Sequence, residues 1–199
     1  GHGGAINQNG SSATITNSSF ESNISTTDGG AIRLGYNTNV TISATEFIKN
    51  HTSNYGGAIC GSGSIDTITN SIFKQNSAAY GGAIGKSGGT TTINDSIFES
   101  NSGNLGGALY AFSQATYNIN NSTFSKNEAS GNGGAIYNTS STINIADSVF
   151  DSNHSANNGA AISNYGTMTV KNSVFKNNDS YYSAIFNNGT LDIISESGK

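Results

Sequence analysis

Twelve carboxylates, three histidines and one cysteine are the side chains in this sequence that could carry out acid–base, metal or nucleophilic chemistry. Cleavage of a polysaccharide needs clustered carboxylates, often with Ca²⁺ or a basic residue that removes a proton. A metal site needs several ligands close together, and a thiol nucleophile needs a neighbouring base. Whether such groups meet depends on the structural elements that carry them.

Two short motifs alternate along the whole chain and define those elements. Gly-Gly-Ala-Ile, or a close variant, recurs at steps of 23 to 27 residues, with alanines at Ala5, Ala31, Ala58, Ala83, Ala108, Ala135, Ala161 and Ala184. Between these copies lies Phe-x-x-Asn, intact at Phe20/Asn23, Phe47/Asn50, Phe73/Asn76, Phe98/Asn101, Phe124/Asn127, Phe150/Asn153 and Phe175/Asn178. Self-similarity of this period is typical of solenoid proteins, so we interpret the repeated residues as structural.

Each repeat unit contains three short segments with the pattern of β-strands. Segment 13–16 (Ala-Thr-Ile-Thr) alternates apolar and polar residues with a period of two, and β-branched residues favour pleated strands. Glycine, asparagine, serine and threonine make long helices unfavourable. Three strands per unit, stacked in parallel on the next unit, predict an all-β parallel β-helix of about seven to eight coils of about 26 residues.

The spacing of apolar residues predicts where each coil turns. Ile15 and Phe20 are five positions apart and would face opposite sides of one flat strand, so a corner must separate them. The corner candidates lie three positions before each phenylalanine: Asn17, Ala44, Asn70, Asp95, Asn121, Asp147 and Asn172. Asparagine and aspartate tolerate left-handed dihedrals, as does glycine. We therefore predict a second corner at the motif asparagine and a third at the glycine pair.

Alignment of the units predicts three interior columns of apolar side chains. One column follows the glycines: Ile6, Ile32, Ile59, Ile84, Leu109, Ile136, Ile162 and Ile185. A second runs from Ile15 to Val170 and Ile193, and the third is the phenylalanine stack from Phe20 to Phe175. Each fully buried side chain of this size contributes about 1.5–3 kcal/mol, which offsets the ordering of a glycine-rich chain.

The same alignment spreads the acidic side chains around the coils. Asp95 and Asp147 share a corner column but lie two coils apart, about 10 Å, too far to share an ion or a proton. In the position after the phenylalanine, opposite charges fall on neighbouring coils as two pairs, Lys74/Glu99 and Asp151/Lys176. We interpret both as exposed ion pairs that contribute little stability.

The histidines and the cysteine are also separated from partners. His51 and His154 share a column four coils apart, about 19 Å, and His2 lies in another column. Cys60 occupies a column of varied residues, which indicates a position outside the core without a neighbouring base. The sequence therefore predicts a non-enzyme with no catalytic residue, metal ion or cofactor. The alternative is a β-helix polysaccharide lyase or hydrolase whose carboxylates meet through loops.

The composition limits the kinds of partner that this chain can bind. Only 8 residues are lysine or arginine and the net charge is −4, which excludes a basic nucleic-acid surface. No run of 18 apolar residues is present, so we predict no membrane span. A threonine array over segments 14–16, 41–43 and 67–69 is typical of ice-binding faces, but the flanking threonines give way to asparagine further along, which argues against that class.

Tyrosines on the variable side of the repeat are the candidate binding surface. Function tends to lie on variable connections of a rigid scaffold. Tyr55 and Tyr80 precede the glycine motif in adjacent units, and Tyr110 and Tyr137 follow it in another adjacent pair. Exposed aromatic side chains of this kind suit a sugar ring or a protein receptor. We predict that adhesive contact, where it occurs, uses this flank.

The alternation of Gly-Gly-Ala-Ile with Phe-x-x-Asn over residues 3–193 resembles the repeat of the chlamydial polymorphic membrane proteins. Adhesin-like surface proteins of other microbes, including methanogenic archaea, carry similar repeats. The resemblance implies a right-handed parallel β-helix at the cell surface, as an autotransporter passenger or a wall-attached stalk, with adhesion as its role.

From these observations we expect residues 1–199 to form one β-helix domain of a larger exported protein, extracellular and attached to the outer membrane or cell wall through other parts. Its expected partners are host-cell or cell-surface proteins or glycans. An alternative is an extracellular filament subunit that stacks end to end through exposed strand edges.

Overall fold

The computed structural model describes residues 2–195, apart from the side chain of Ile65. The only regular secondary structure in these residues is β-strand, and every pair of neighbouring strands is parallel. The chain winds into about seven stacked turns of about 26 residues. The predicted all-β, parallel β-helix is therefore confirmed.

The strands fall into four groups according to their place in the coil. The first group follows the glycine motif: Ile6–Gln8, Ile32–Leu34, Ile59–Ser62, Ile84–Ser87, Leu109–Phe112, Ile136–Ala146, Ile162–Lys171 and Ile185–Asn187. The second group carries the Thr-Ile-Thr segments: Ser11–Thr16, Thr38–Ser43, Ile65–Thr69, Thr90–Asn94, Thr116–Asn120 and Thr190–Ile194. The third group contains the phenylalanines: Ser19–Glu21, Glu46–Ile48, Ile72–Lys74, Ile97–Glu99, Thr123–Ser125, Val149–Asp151 and Val174–Lys176.

A fourth group, which the sequence did not predict, follows the motif asparagine: Ile24–Ser25, His51–Thr52, Ser102–Leu105, Glu128–Asn132, His154–Ser155 and Asp179–Ser180. Two of the first-group strands, Ile136–Ala146 and Ile162–Lys171, are long enough to include the second segment as well. They join the first and second groups into one 14-stranded sheet, while the phenylalanine strands form a separate 7-stranded sheet.

Left-handed backbone marks two of the corners where they were predicted. All seven residues three positions before a phenylalanine, from Asn17 to Asn172, have φ between 45° and 51°. The first glycine of each described motif, from Gly3 to Gly159, is also left-handed. The first and third corners of the coil are therefore confirmed.

The position predicted for the second corner was wrong by one residue. We expected the motif asparagines to turn the chain, but these seven described residues do not have a left-handed backbone: Asn23, Asn50, Asn76, Asn101, Asn127, Asn153 and Asn178. The residues directly before them turn instead, with φ between 54° and 57°: Ser22, Lys49, Gln75, Ser100, Lys126, Ser152 and Asn177. The asparagine side chains instead form hydrogen bonds with neighbouring coils. The tolerance of asparagine for left-handed dihedrals suggested this residue for the second corner. In the structure, that corner is formed by serine, lysine, glutamine or asparagine at the preceding position.

The motif asparagines form a continuous hydrogen-bonded ladder inside the solenoid. Asn101 is representative and fully buried. Its side-chain Nδ2 donates to Oδ1 of Asn127 on the next coil at 3.0 Å and to the carbonyl oxygen of Phe73 at 2.9 Å. Its Oδ1 accepts from the backbone nitrogen and Nδ2 of Asn76, both at 3.0 Å. Each amide thus satisfies buried groups on two neighbouring coils.

The ladder runs through all seven copies of the motif. At one end, Asn23 Nδ2 donates to Oδ1 of Asn50 at 2.9 Å, and at the other, Asn153 Nδ2 donates to Oδ1 of Asn178 at 2.9 Å. Asn50 and Asn153 are fully buried, whereas the end members Asn23 and Asn178 are half-buried. The asparagines therefore connect the coils along the axis.

Replacement of Asn101 by leucine is expected to lower the free energy of unfolding by about 1–3 kcal/mol, since buried donors and acceptors lose their partners. The matched control is Glu99→Gln on the same coil, where the carboxylate is partly exposed and the change should be nearly silent. Urea titration of both variants measures the difference. Equal losses would show that the asparagine ladder does not stabilise the coils.

The three predicted apolar columns form the core. Ile32, Phe73 and Leu109 have no solvent exposure, and one contiguous cluster of buried side chains connects the columns. Rings of the phenylalanine column stack nearly parallel, with centroids 4.7 Å apart between Phe73 and Phe98. Column members at the ends are less covered, as at Ile193, which is 69% exposed.

Candidate functional site

The four predicted tyrosines lie on one flank of the solenoid and are half-buried. Tyr55 and Tyr80 stack with ring centroids 4.9 Å apart, and Tyr110 and Tyr137 stack at 5.6 Å. The two pairs also meet, because the rings of Tyr80 and Tyr110 are 5.3 Å apart. The structure therefore joins two predicted pairs into one cluster.

Three rings that the sequence analysis did not select extend this cluster. Phe112 lies 5.0 Å from both Tyr55 and Tyr110. Tyr165 lies 5.5 Å from Tyr137, and Phe186 lies 5.7 Å from Tyr165. We call the whole set the aromatic ridge: Tyr55, Tyr80, Tyr110, Phe112, Tyr137, Tyr165 and Phe186.

The aromatic ridge is continuous although two positions in its column, Gly85 and Ser163, carry no ring. Rings from nearby positions of the repeat fill both gaps. Gly85 pairs with Tyr110 in the register, and a Cβ at Gly85 would lie 3.2 Å from Cβ of Tyr55. The missing side chain leaves room for Tyr55 to reach the rings of the later coil. At the other gap the small residue is Ser163, and Tyr165, two positions further on, supplies the ring.

Stacking determines what the aromatic ridge presents to solvent. Interplanar angles of 25° for Tyr55 and Tyr80 and 14° for Tyr110 and Tyr137 turn ring faces toward one another. Burial, with a smaller effect of the neighbouring phenols, raises the pKa of Tyr110 to about 12. Burial likewise raises the pKa of Tyr55 and of Tyr137. The two stacked pairs therefore leave ring edges and phenol hydroxyls to face solvent, whereas the contacts of Tyr165 with Tyr137 and Phe186 are tilted, at 40° and 46°.

Cys60 was predicted to lie outside the core, and this was wrong in one respect: its side chain is only 5% exposed. It lies outside the interior cluster and in register with Gly85, which borders Cβ of Tyr55, and we infer that Tyr55 covers the thiol. Burial raises the pKa of the Cys60 thiol to about 12. The varied residues of its column concealed this burial because the cover comes from a different position of the repeat.

We expect folded protein to leave Cys60 unlabelled by maleimide at pH 8, and unfolded protein to react fully. Since the folded pKa lies above the ordinary 9.0, the thiol's contribution to stability is present below pH 9 and is lost as the pH rises toward 12. Mass spectrometry after timed labelling measures the rate. Tyr55→Ser should accelerate labelling of folded protein, whereas Tyr36→Ser, at a tyrosine that is 70% exposed, should not. Equal rates in both variants would show that Tyr55 does not cover the thiol.

The predicted surface ion pairs are present. Lys74 Nζ lies 2.9 Å from Oε2 of Glu99, and Lys176 Nζ lies 3.2 Å from Oδ2 of Asp151. Hydrogen bonds from Asn177 and Ser152, together with Lys176, lower the pKa of Asp151. Both pairs bridge neighbouring coils at the surface.

The histidines are exposed, as predicted. His51 Nδ1 lies 2.8 Å from Oγ of Ser77, and His154 Nδ1 lies 3.5 Å from Oδ2 of Asp179. Within residues 2–195, no three His, Cys, Asp or Glu side chains form a group that could hold a metal ion.

One face of the 14-stranded sheet is an extended array of small polar side chains. An outward column stays in register over eight strands and consists of Thr14, Thr41, Thr67, Thr92, Asn118, Asn144, Thr169 and Asp192. A second column is threonine on five successive coils, from Thr90 to Thr190. As predicted, asparagine replaces threonine in the first column, at Asn118 and Asn144, whereas the second column, which the sequence did not single out, remains threonine. Asn120 Nδ2 donates to Oδ1 of Asn94 at 2.9 Å, so part of its hydrogen-bonding capacity is used within the array.

A buried polar cluster that the sequence did not predict lies inside the solenoid between two coils. Lys86 and Asp66 form an ion pair, with side chains 1% and 6% exposed. Lys86 Nζ also donates to the carbonyl oxygen and Oγ of Ser64, both at 2.8 Å. Thr91 Oγ1 donates to Oδ2 of Asp66 at 3.3 Å. The signal in the sequence was a lone charge in each column: the other members of the Asp66 column are mostly apolar, such as Val40 and Ile143, and those of the Lys86 column are uncharged.

The stacked parallel coils and the buried asparagine ladder define a parallel β-solenoid. The family model described as the right-handed β-helix region matches residues 4–197, and the chain belongs to that family. The match agrees with the handedness that the motif resemblance implies. No curated protein and no solved structure matches the chain. In the described part of the chain, no helix is long and apolar enough to cross a membrane.

Proposed function

We propose that this chain is a non-enzymatic, adhesin-like β-helix of the extracellular surface, which attaches to a protein on another cell through the aromatic ridge. The observation that carries the proposal is the ridge itself: seven half-buried rings in continuous contact along one flank. Contiguous apolar surface of this kind is typical of interaction sites, and tyrosine is enriched at protein interfaces.

The stacked geometry favours a protein partner over a sugar. A sugar ring packs against an aromatic face, and in the stacked pairs Tyr55/Tyr80 and Tyr110/Tyr137 those faces pack against neighbouring rings. Ring edges with phenolic hydroxyls instead suit a flat, partly apolar protein surface that supplies hydrogen-bond partners. The parallel solenoid holds the rings rigidly, which reduces the entropy lost on binding.

The location at the cell surface rests on the sequence motifs. The alternation of Gly-Gly-Ala-Ile and Phe-x-x-Asn resembles the repeat of chlamydial-type polymorphic membrane proteins and of microbial adhesin-like proteins. Beta-helix folds also carry polysaccharide-cleaving enzymes, and the ion-paired surface carboxylates Glu99 and Asp151 support the non-enzymatic alternative.

Simultaneous replacement of Tyr55, Tyr80, Tyr110 and Tyr137 by serine should reduce attachment at least tenfold. The assay measures adherence of protein-coated fluorescent beads to cultured epithelial cells. Adherence is measured well below the melting temperature of each variant, since loss of half-buried rings lowers stability. Treatment of the cells with trypsin should abolish adherence of wild-type beads, whereas glycosidases should not.

The matched control removes three exposed rings that make no ring contact with the aromatic ridge: Tyr36, Tyr181 and Tyr182, which are 69–80% exposed. Their replacement by serine should leave adherence unchanged. Adherence that persists in the ridge variant, or that wild-type protein lacks, would contradict the proposal. Adherence lost after glycosidase but retained after trypsin would identify a glycan partner.

A further inference from the structure

We propose that Lys86 and Asp66 join in an intramolecular amide bond between Lys86 Nζ and Cγ of Asp66. The bond would tie the first-group strand Ile84–Ser87 to the second-group strand Ile65–Thr69 of the preceding coil, across the interior of the solenoid. It is a covalent modification site independent of the aromatic ridge, and it involves no other molecule.

The geometry places the reacting groups together and fixes them. The two side chains are in contact inside the solenoid, and both are almost completely buried. Gly61, the neighbour of Lys86 in the register, lines this pair: a Cβ there would be in van der Waals contact with Lys86 Nζ, at 3.5 Å, and with Oδ2 of Asp66, at 3.6 Å. Groups held in this way react as if at very high concentration.

The surroundings favour a neutral amide over an ion pair. Oδ1 of Asp66 and the hydroxyl of Tyr117 are buried without a hydrogen-bond partner. A carboxylate with an unpartnered oxygen is costly in an apolar interior, and so is an ammonium group. Burial, partly opposed by Asp66, lowers the pKa of Lys86, which favours the neutral amine that can act as a nucleophile. Condensation removes both charges from the core.

Ser64 is placed to move the proton that the reaction releases. Its Oγ accepts from Lys86 Nζ at 2.8 Å and donates to Oδ2 of Asp66 at 2.9 Å, so one hydroxyl links the nucleophile to the leaving oxygen. The neutral amine attacks Cγ of the carboxylic acid and forms the N–C bond. The Cγ–Oδ2 bond then breaks, and Oδ2 leaves as water with its own proton and one from Nζ through Ser64. The products are one amide and one water.

Intact-mass measurement of the wild-type protein under denaturing conditions tests the proposal. We expect most molecules to be lighter than the sequence by one water, and a peptide map to contain a branched peptide that joins Lys86 to Asp66. The variants Lys86→Arg and Asp66→Ala should show the full sequence mass. Asp66→Asn should lose ammonia instead of water, because the leaving group changes, and Ser64→Ala should slow the loss of water.

The exposed pair Lys74/Glu99 provides the matched control, since its atoms are in contact but lie at the surface. Lys74→Arg should retain the loss of water. A wild-type protein at full sequence mass, with Lys86 and Asp66 recovered in separate linear peptides, would overturn the proposal. A loss of water that persists in Lys86→Arg would assign the change to another residue and would also overturn it. The first of these results does not depend on whether a variant folds, because it needs only wild-type protein.

Discussion

Replacement of Lys86 by methionine is expected to lower the free energy of unfolding by about 3–5 kcal/mol, since it leaves Asp66 as a lone buried charge. Met fills the space of the lysine stem, so loss of packing contributes little. The same direction of change is expected whether the wild-type pair is ionic or joined by an amide, because the variant strands Asp66 in either case. Urea titration followed by circular dichroism measures the loss.

A second substitution separates the effect of charge from the effect of volume. Asp66 is directly in register with Val40, which is buried in the same interior column. The double variant Lys86→Met/Asp66→Val should therefore recover the part of the loss that comes from the unpaired Asp66 charge, as occurs when buried ionic groups are replaced by apolar side chains. A double variant less stable than Lys86→Met alone would show that the pair stabilises the fold through packing or specific hydrogen bonds.

Replacement of Phe98 by alanine is expected to cost about 3–5 kcal/mol, because a fully buried aromatic side chain leaves a cavity. Phe98 has no solvent exposure and stacks on both sides, with centroids 4.7 Å from Phe73 and 4.7 Å from Phe124. The cavity would separate the remaining rings of the column in the middle of the solenoid. Thermal or urea unfolding measures the change.

The adjacent residue supplies the matched control. Ile97 lies in the same strand but faces outward and is 42% exposed. Ile97→Ala should change stability by no more than about 0.5 kcal/mol, as exposed substitutions usually do. If the two variants lost similar stability, the phenylalanine column would not be the core of the third side of the coil.

Each coil carries three features at different positions: the phenylalanine column, the asparagine ladder and the aromatic ridge. Residues that stabilise the solenoid are therefore distinct from those proposed to bind a partner. The phenylalanine column and the asparagine ladder act on stability alone, whereas the aromatic ridge is predicted to act on attachment. The Lys86–Asp66 pair lies in neither group, since it is interior but breaks the apolar pattern. A repeat protein can accept such an exception at one coil because its neighbours hold the register on both sides.

The sequence by itself determined the solenoid. Seven intact copies of Phe-x-x-Asn define which residues superpose from coil to coil, and parallel pairing turns each superposed position into a column. The corner at Asn70 and the burial of Ile68 and Phe73 follow from that periodicity, since a five-residue spacing can point inward twice only across a bend. The local sequence was sufficient to predict the corners and the buried columns because every coil repeats the same pattern.

The second corner shows where residue preference was not sufficient. Asn50 and Asn153 have the residue type that tolerates a left-handed backbone, yet Lys49 and Ser152 adopt it. The asparagine side chains are held by hydrogen bonds to the neighbouring coils, at 3.0 Å from Asn50 Nδ2 to Oδ1 of Asn76. Stacking of the coils thus decided which of two adjacent residues turns the chain.

Only the tertiary structure decided which side chains meet across the coil. Alignment of the repeats carries no information about these contacts. Lys86 and Asp66 are 20 positions apart and belong to different columns, which face each other only once the cross-section closes. Tyr55 and Phe112 likewise meet over the space that Gly85 leaves. Alignment places residues along the solenoid axis, but the directions of side chains across the interior and over the surface depend on corner angles and packing. These are set by the whole coil and by no single segment of the chain.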